Sequence, residues 1–466
     1  MLNPRIWPWW GWVMAIILVL LTLLLSAVIA LRLQGQAELQ GVISQLRSAG
    51  LIYLPAEVAA RAPAVDADRQ RRAWELQQRI IAVPWAGSNP RYRSSMDARF
   101  PTPGIAAPTT GITAEQMAAD SAGVRAAWLA LVAEGPVILS GYGWMAADFP
   151  QPAAIGVIKA ASLRLPNLMA VRILANSYAA AALGASDPRA DLHGLDTLVD
   201  ALQPSASLID AMILVAICNI RDNAWLEATC RGTDPTPWIA HCPPLLPAVA
   251  DAFACERAWF VGSVYQDFRA GRFVDNTLYS YGSGRGSFND LKNLATGLLW
   301  RVVAPFDIAF AYQWEALSEQ RLKGQAVDLS GLQDAIMANS WLHPFSKWMI
   351  PNLIESGITA VTQDAGGREY RIAAALVWNW RTSGVLPVDA GAVRALLPTD
   401  LLAAHGDLPA IQYAVVAPGR FRLWVDSATP ITDLLPAGRI DAPKPGTGAW
   451  SQKRWWLELD LNQLPK

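Results

Sequence analysis

An uncharged apolar run near the N-terminus constrains this chain more than any other feature. Residues 11–31, GWVMAIILVLLTLLLSAVIAL, form a stretch of 21 positions without a charged side chain. As an α-helix the run would be about 31 Å long, enough to cross a hydrocarbon core about 30 Å thick. Indole rings favour the headgroup level of a bilayer, and four tryptophans lie at the leading edge of the run: Trp7, Trp9, Trp10 and Trp12. The run therefore predicts a single transmembrane anchor.

Two alternatives to a retained anchor stay open. A cleaved signal peptide could use the small residues near Ala30 or Ala37, although its apolar core usually spans only about 7–15 residues. A buried core helix is rarely apolar on every face. Arg5 precedes the run and Arg32 follows it, so the positive-inside rule gives a small bias toward a cytoplasmic N-terminus. We therefore expect a cell-membrane protein with residues 34–466 in the periplasm or another extracytoplasmic space.

Composition indicates a folded chain and disfavours a nucleic-acid partner. Hydrophobic residues make up 53% and charged residues 17% of the sequence, against about 25% charged residues in ordinary globular domains. Disorder over most of the chain is excluded, because disordered segments have low hydrophobicity. The 38 basic and 39 acidic residues leave no excess of positive charge, and we therefore expect no nucleic-acid partner.

Helical patterns dominate the chain beyond the anchor, so we expect a mainly α fold. Thr113 and Gln116 have capping-box spacing and predict a helix start, and Ser205 or Ser207 should cap a helix that stops at Gly232. No helix alternates with strands, which argues against a doubly wound sheet. Pro305 should break or kink the helical pattern around it.

A small antiparallel β unit is predicted at the C-terminal end. Residues 411–416 and 421–425 alternate on either side of a Pro-Gly turn, and 455–461 alternate as well. The period of two would place Tyr413, Val415, Phe421 and Leu423 on the inner face.

These patterns divide the chain into four parts. They are a cytoplasmic tip with the transmembrane anchor at 1–33, membrane-proximal helices with a Pro-rich excursion at 34–135, an extracytoplasmic helical array at 136–384, and a C-terminal short helix plus the β unit at 385–466.

The sequence contains no motif for a catalytic, cofactor or metal site. It has four histidines, and only His241, beside Cys242, has a second potential metal ligand next to it. There is no His-Glu-x-x-His, no Cys-x-x-Cys and no Gly-x-Ser-x-Gly. We therefore expect neither cofactor nor metal ion, and the sequence favours a protein without enzymatic activity.

Glu256 and Arg257 lie in the middle of an apolar helical pattern. A charged pair in such a position would be buried, with partners on neighbouring helices, and would fix the packing register. A catalytic carboxylate is the alternative, but general acid–base chemistry usually needs a second group.

The four cysteines, Cys218, Cys230, Cys242 and Cys255, lie within 38 residues. Cys218 lies 12 residues before Cys230, and Cys255 lies 13 residues after Cys242, so antiparallel helices would bring the outer pair level as well as the inner pair. This geometry favours the disulfides Cys230–Cys242 and Cys218–Cys255 in an oxidising exterior. Small buried thiols, or a zinc site with His241, are the alternatives.

Several stretches resemble a known family: 163–182 (LRLPNLMAVRILANSYAAAA), 207–230, 254–258, 349–387 and 393–398 (VRALLP). They are similar to N-terminally membrane-anchored, Ala/Leu-rich helical proteins of planctomycetes and their relatives. The resemblance implies an exported, anchored helical protein and carries no activity. The C-terminal unit is distantly similar to that of type II secretion pseudopilins, but Leu408-Pro409-Ala410 occupies the place of their Asp-Pro-Phe.

The function we expect is that of a single-pass, membrane-anchored extracytoplasmic protein that binds or scaffolds other envelope or membrane proteins. An accessory subunit of an integral membrane complex is one alternative, because Thr22, Ser26 and Ala30 form a small-residue face on the anchor. An envelope hydrolase with a dispersed site is the other.

Overall fold

The computed structural model describes residues 9–84, 113–141, 168–203, 205–241, 245–270, 287–325, 327, 342–399, 401–403, 410–425 and 456–464. This part of the chain is mainly helical, with a small three-stranded antiparallel sheet near the C-terminus, which confirms the predicted fold class. Residues 1–8, almost all of the Pro-rich excursion and Cys242 lie outside the described residues.

The helices and strands follow in chain order. The first helices are α1 (Trp9–Ser48), α2 (Pro55–Arg61), α3 (Ala67–Ile81), α4 (Ala114–Asp120), α5 (Ala122–Ala133), α6 (Leu168–Gly184) and α7 (Arg189–Leu202). Next come α8 (Leu208–Cys230), α9 (Thr236–Ala240), α10 (Leu245–Glu256), a π-helical turn (Arg257–Val261) and α11 (Gly262–Arg269). The last elements are α12 (Ser287–Leu322), α13 (Pro344–Ser383), α14 (Ala390–Arg394), β1 (Ile411–Ala417), β2 (Arg420–Val425), β3 (Trp456–Asp460) and a 3-10 turn (Leu461–Gln463).

Capping residues fix several of these helix ends as the sequence predicts. Thr113 accepts a hydrogen bond from the backbone N–H of Gln116 at 3.1 Å and begins α4. Ser207 accepts a hydrogen bond from the backbone N–H of Asp210 at 3.1 Å and begins α8. Gly232, just beyond α8, has a φ of 108°, a conformation that L side chains rarely adopt.

Helix α8 lies at the centre of the helical body. It packs against α6, α7, α10 and α13, while α12 packs against α10 and α1. The side chains that these helices share form one continuous hydrophobic core, in which Leu214, Leu195 and Leu376 are fully buried.

Pro305 does not break α12, which runs continuously from Ser287 to Leu322. The prediction of a break at this position is therefore wrong, and the alternative of a kink stays a prediction. Proline removes one backbone hydrogen bond from a helix interior, but α12 is packed along α1 and α10, and Ala304 and Phe306 on either side of Pro305 are buried. The packing of α12 against its neighbours outweighs the loss of this one hydrogen bond.

The C-terminal sheet has the order β1-β2-β3, with both pairs antiparallel. This confirms the predicted hairpin and third strand. Phe421 and Leu423 are fully buried. Tyr413 and Val415 stand opposite Leu423 and Phe421 in the strand register, so all four residues share one face as predicted, although Val415 is 42% exposed. Burial falls along β1 from Ile411 at 2% to Val416 at 46%.

Candidate functional site: a buried ionic cluster beside the anchor

Helix α1 continues without interruption from an exposed apolar part into a part that packs against the helical body. Its apolar N-terminal part is largely exposed, for example 67% at Leu18 and 62% at Leu24. From Gly35 onward one face is buried against α12. Within the described residues, α1 is the one helix long and apolar enough to cross a membrane, and it is compatible with a membrane anchor or a signal sequence.

Gly35 marks the point where α1 meets the helical body. A Cβ atom at this position would lie 2.7 Å from the ring of Phe306 on α12, closer than side-chain contacts normally allow. Glycine therefore permits the close approach of the two helices. Beyond it, Leu39, Ile43 and Leu46 continue the buried face.

A short segment after α1, which we call the elbow (Leu51–Leu54), turns the chain back toward the body. The backbone N–H groups of Tyr53 and Leu54 both donate to Glu57 Oε2 at 2.8 Å. Tyr53 also accepts a hydrogen bond on its hydroxyl from Arg47 Nε at 2.7 Å. These bonds hold the elbow against the end of α1 and the start of α2.

The helical body holds the elbow from the other side. Arg257 Nε donates to the carbonyl oxygen of Ile52, and the Tyr312 hydroxyl donates to the carbonyl oxygen of Tyr53, each at 2.8 Å. A Cβ at Gly262 would lie 2.5 Å from the Tyr53 oxygen, so the backbone of α11 contacts the elbow directly. Two side chains and one backbone contact, from three elements of the body, thus fix the segment that follows α1.

Arg257 is also the centre of what we call the ionic cluster: Glu256, Arg257, Glu315, Glu319 and Lys323. Arg257 is fully buried, and its Nη1 lies 2.6 Å from Oε2 of Glu319 on α12. Glu319 Oε1 accepts from Lys323 Nζ at 2.7 Å, and this Nζ lies 3.4 Å from Asp251 Oδ1. The chain of charges therefore runs from the buried guanidinium to a solvent-exposed pair.

Glu315 is the exceptional member of the cluster. It is fully buried, and neither carboxyl oxygen has a hydrogen-bond partner among the described residues. Burial and the nearby Glu256 carboxylate raise the pKa of Glu315 well above its usual value, although Arg257 opposes the rise. A buried carboxylate without partners is strongly disfavoured, so the neutral acid is the stable form.

Glu256 belongs to the same cluster but has a different partner. Its Oε2 accepts from the backbone N–H of Leu208 at 3.4 Å, at the start of α8. Burial is the largest cause that raises the pKa of Glu256, and the hydrogen bond opposes it. Glu256 and Arg257 thus contact neighbouring helices, and the ion pair that the structure forms here is Arg257–Glu319.

A π-helical turn begins at Arg257, the residue that holds the elbow. The turn, Arg257–Val261, follows α10 directly and continues into α11. A π turn inserts one extra residue into a helix, which rotates the side chains that follow, and such turns are frequent at functional sites. Sequence reasoning missed this turn, as it missed Glu315 and Glu319.

A second set of buried charges, the α8–α13 ionic group, lies between the two helices of its name: Arg221, Asp222, Asp364, Arg368, Glu369 and Arg371. Arg221 Nη2 lies 2.8 Å from Asp222 Oδ1. Arg368 Nε donates to the carbonyl oxygen of Leu401 at 3.0 Å and thereby holds the C-terminal part of the chain. Burial raises the pKa of Glu369 to about 8, against the opposing effect of Arg368.

The predicted cysteine pairs stay predictions. Cys218 lies in the main hydrophobic core and Cys255 in a separate small cluster beside the elbow. Cys218, Cys230 and Cys255 are all buried. The described residues contain no disulfide bond, and the prediction for Cys230–Cys242 lies partly outside them.

Metal ligands do not converge in the described ranges, where no group of three or more His, Cys, Asp or Glu side chains could hold a metal ion. Comparisons with protein families, with functionally described proteins and with solved structures give no match for this chain. The resemblance to the anchored helical proteins of planctomycetes therefore stays a prediction.

Proposed function

We propose that this protein is a single-pass, membrane-anchored scaffold that holds its helical body in a fixed orientation at the membrane surface, where the body binds other envelope or membrane proteins. The observation that carries the proposal is the continuity of α1. One helix is apolar and exposed in its first part and buried against α12 in its second part. A tethered enzyme would need no such rigid junction, whereas a scaffold gains from a body that cannot swivel.

The elbow supports the same proposal. Immediately after α1, the chain is bonded to Arg257 and Tyr312 of the body. Any tilt of the helical body against the anchor would break these bonds in addition to the α1–α12 contact.

A flexible insertion at the junction tests this proposal. We would insert a short Gly-Ser segment after Gln34, and insert the same segment after Gly384, in an exposed loop, as the control. Both variants should remain in the membrane fraction. Proteins that co-purify with the wild type in mild detergent should be lost only from the Gln34 variant. An unchanged set of partners in that variant, or a wild type without partners, contradicts the scaffold.

Orientation is tested separately. We propose that the N-terminus is cytoplasmic and the body extracytoplasmic, so a reporter that requires export should be active when fused after Lys466. Activity of a cytoplasm-dependent reporter at the same position would reverse the orientation.

An accessory subunit of an integral membrane complex is the second candidate, favoured by the small-residue face of the anchor. Thr22, Ser26 and Ala30 are exposed, and the Thr22 hydroxyl donates to the Leu18 carbonyl at 2.8 Å within its own helix. Close helix–helix packing uses such small residues. Ser26→Leu should therefore release a transmembrane partner, whereas Leu24→Phe on the opposite face should not.

A further inference from the structure

The ionic cluster has an unequal number of charges. Among the described residues, the three carboxyl groups of Glu256, Glu315 and Glu319 are accompanied by two cations, Arg257 and Lys323. Both cations contact Glu319, and Lys323 also lies close to Asp251. At least one carboxyl group of this set therefore lacks a compensating cation. In a buried site such a group takes up a proton or leaves the interior.

Glu315 is the group that holds this proton. Glu319 contacts both cations, and Glu256 accepts a backbone hydrogen bond, while the oxygens of Glu315 have no partner in the described part of the chain. The titratable and charged groups that face it are Glu256 from α10, Arg257 from the π turn, and Glu319 and Tyr312 from α12 itself. Tyr53 and Tyr265 face Tyr312 in turn.

Arg257 connects this proton to the junction between anchor and body. The same guanidinium that pairs with Glu319 donates to the elbow at Ile52. A negative charge on Glu315 would compete for Arg257 and would admit water into the cluster, which weakens the hydrogen bond to the elbow.

We propose that the ionic cluster is a proton-controlled latch, in which protonated Glu315 leaves Arg257 free to hold the elbow and loss of the proton loosens the junction. The inference rests on the proposed function, because it names what regulates the rigid junction of the scaffold. The proton that leaves Glu315 would pass to bulk water, and the partly exposed pair Lys323 and Asp251 marks the solvent end of the charge chain.

The direction of the pH effect follows from the coupling between proton binding by Glu315 and opening of the latch. The closed state holds the Glu315 proton more tightly than an open state, in which the carboxyl has its ordinary pKa of 4.5. The latch is therefore fully closed below that value, and opening becomes easier as the pH rises above it, until Glu315 ionises in the closed state as well.

Hydrogen exchange at the elbow amides of Tyr53 and Leu54 tests the latch on the full chain in detergent micelles. The measured quantity is the ratio of exchange rates between wild type and Glu315→Gln at each pH. This ratio cancels the intrinsic pH dependence of exchange and every other pH effect that both proteins share. It should be smallest near about pH 5 and rise by up to about tenfold for each pH unit above it.

Glu75→Gln is the matched control, since Glu75 is exposed on α3. Its exchange at the elbow should equal that of the wild type at every pH. A wild type to Glu315→Gln ratio that stays constant from about pH 5 to about pH 9, the range in which buried carboxyl groups titrate, would overturn the latch. Partner loss plays no part in this measurement, so the latch and the scaffold can fail independently.

Infrared difference spectroscopy measures the protonation of Glu315 independently of hydrogen exchange. The difference spectrum of wild type minus Glu315→Gln should contain the carbonyl band of a protonated carboxylic acid at neutral pH, and this band should disappear on alkalinisation. Bands from other protonated carboxyl groups, such as Glu369, are common to both proteins and cancel in the difference. A difference spectrum without such a band would assign the proton to another carboxyl group and overturn the proposal, even if elbow exchange could not be followed.

Discussion

The two ionic sites of this protein differ in charge balance and in how completely their members are buried, since Lys323 of the ionic cluster is 38% exposed. The α8–α13 ionic group contains three arginines and three carboxylates, all less than 9% exposed. The ionic cluster at the elbow contains three carboxylates but only two cations. A balanced site can stay ionised throughout and serve packing alone, whereas an unbalanced site must hold a proton or open.

Charge balance alone does not decide whether a buried carboxyl group stays ionised, because the pKa of Glu369 in the balanced α8–α13 ionic group is also raised. Its Oε1 has no hydrogen-bond partner among the described residues, and Arg368, its nearest cation, is bonded to the Leu401 carbonyl. The pKa of a buried carboxyl group therefore depends on its own hydrogen-bond and ion-pair partners as much as on the total number of charges in the site. The variants below separate the effect of the partners from that of the total charge.

Arg257→Met should have the largest effect. It removes the cation that faces Glu319 and Glu315 and the hydrogen bond to Ile52, and breaking one partner of a buried pair costs about 3–5 kcal/mol. Chemical denaturation in micelles, followed by circular dichroism, measures the loss. A loss under about 1 kcal/mol would show that solvent reaches the cluster.

Glu369→Gln should come next, and its effect should depend on pH. The pKa of Glu369 is about 8 in the folded protein, above its unfolded value, so the folded state binds the proton more tightly. The wild type should lose stability relative to Glu369→Gln as the pH rises toward about 8, by up to about 1.4 kcal/mol per pH unit, and by no more above it. Parallel stability curves for the two proteins would contradict the assignment.

Arg368→Met should have a smaller and more local effect. It removes the hydrogen bonds to the carbonyl oxygens of Leu401 and Ala403, and bonds to charged donors contribute about 1.5–3 kcal/mol. Limited proteolysis should cut the C-terminal part of the chain faster, while the helical body stays intact. Arg189→Met, at a side chain that is 71% exposed, should leave the cleavage rate unchanged.

Arg71→Met should have the smallest effect. Arg71 pairs with Asp68 on the surface of α3, where both side chains are more than half exposed. Exposed pairs contribute less than about 1 kcal/mol. The same denaturation assay as for Arg257→Met checks this, and a loss equal to that of Arg257→Met would remove burial as the explanation of the difference.

Local patterns determined the fold class and most element ends. The uncharged run at 11–31 could only be a long apolar helix, and the caps at Thr113 and Ser207 follow from side-chain chemistry within a few residues. The hairpin between β1 and β2 was also local, because its alternation and turn residues adjoin each other. The exposure of Val415, in contrast, depended on tertiary packing, since it shares a face with the buried Phe421 but is itself 42% exposed.

The ionic cluster needed the tertiary structure. Glu315 and Glu319 lie four residues apart on α12, and Lys323 follows at the same spacing just beyond its end, which was a readable sign of one polar stripe. That Arg257 meets this stripe depends on the packing of α10 against α12. Its bond to Ile52 joins residues 205 positions apart. The sequence by itself determined that a membrane-compatible helix precedes a helical body. Tertiary packing alone decided that this helix packs against the body beside an unbalanced set of charges, because burial and charge balance are properties of the whole set of neighbours.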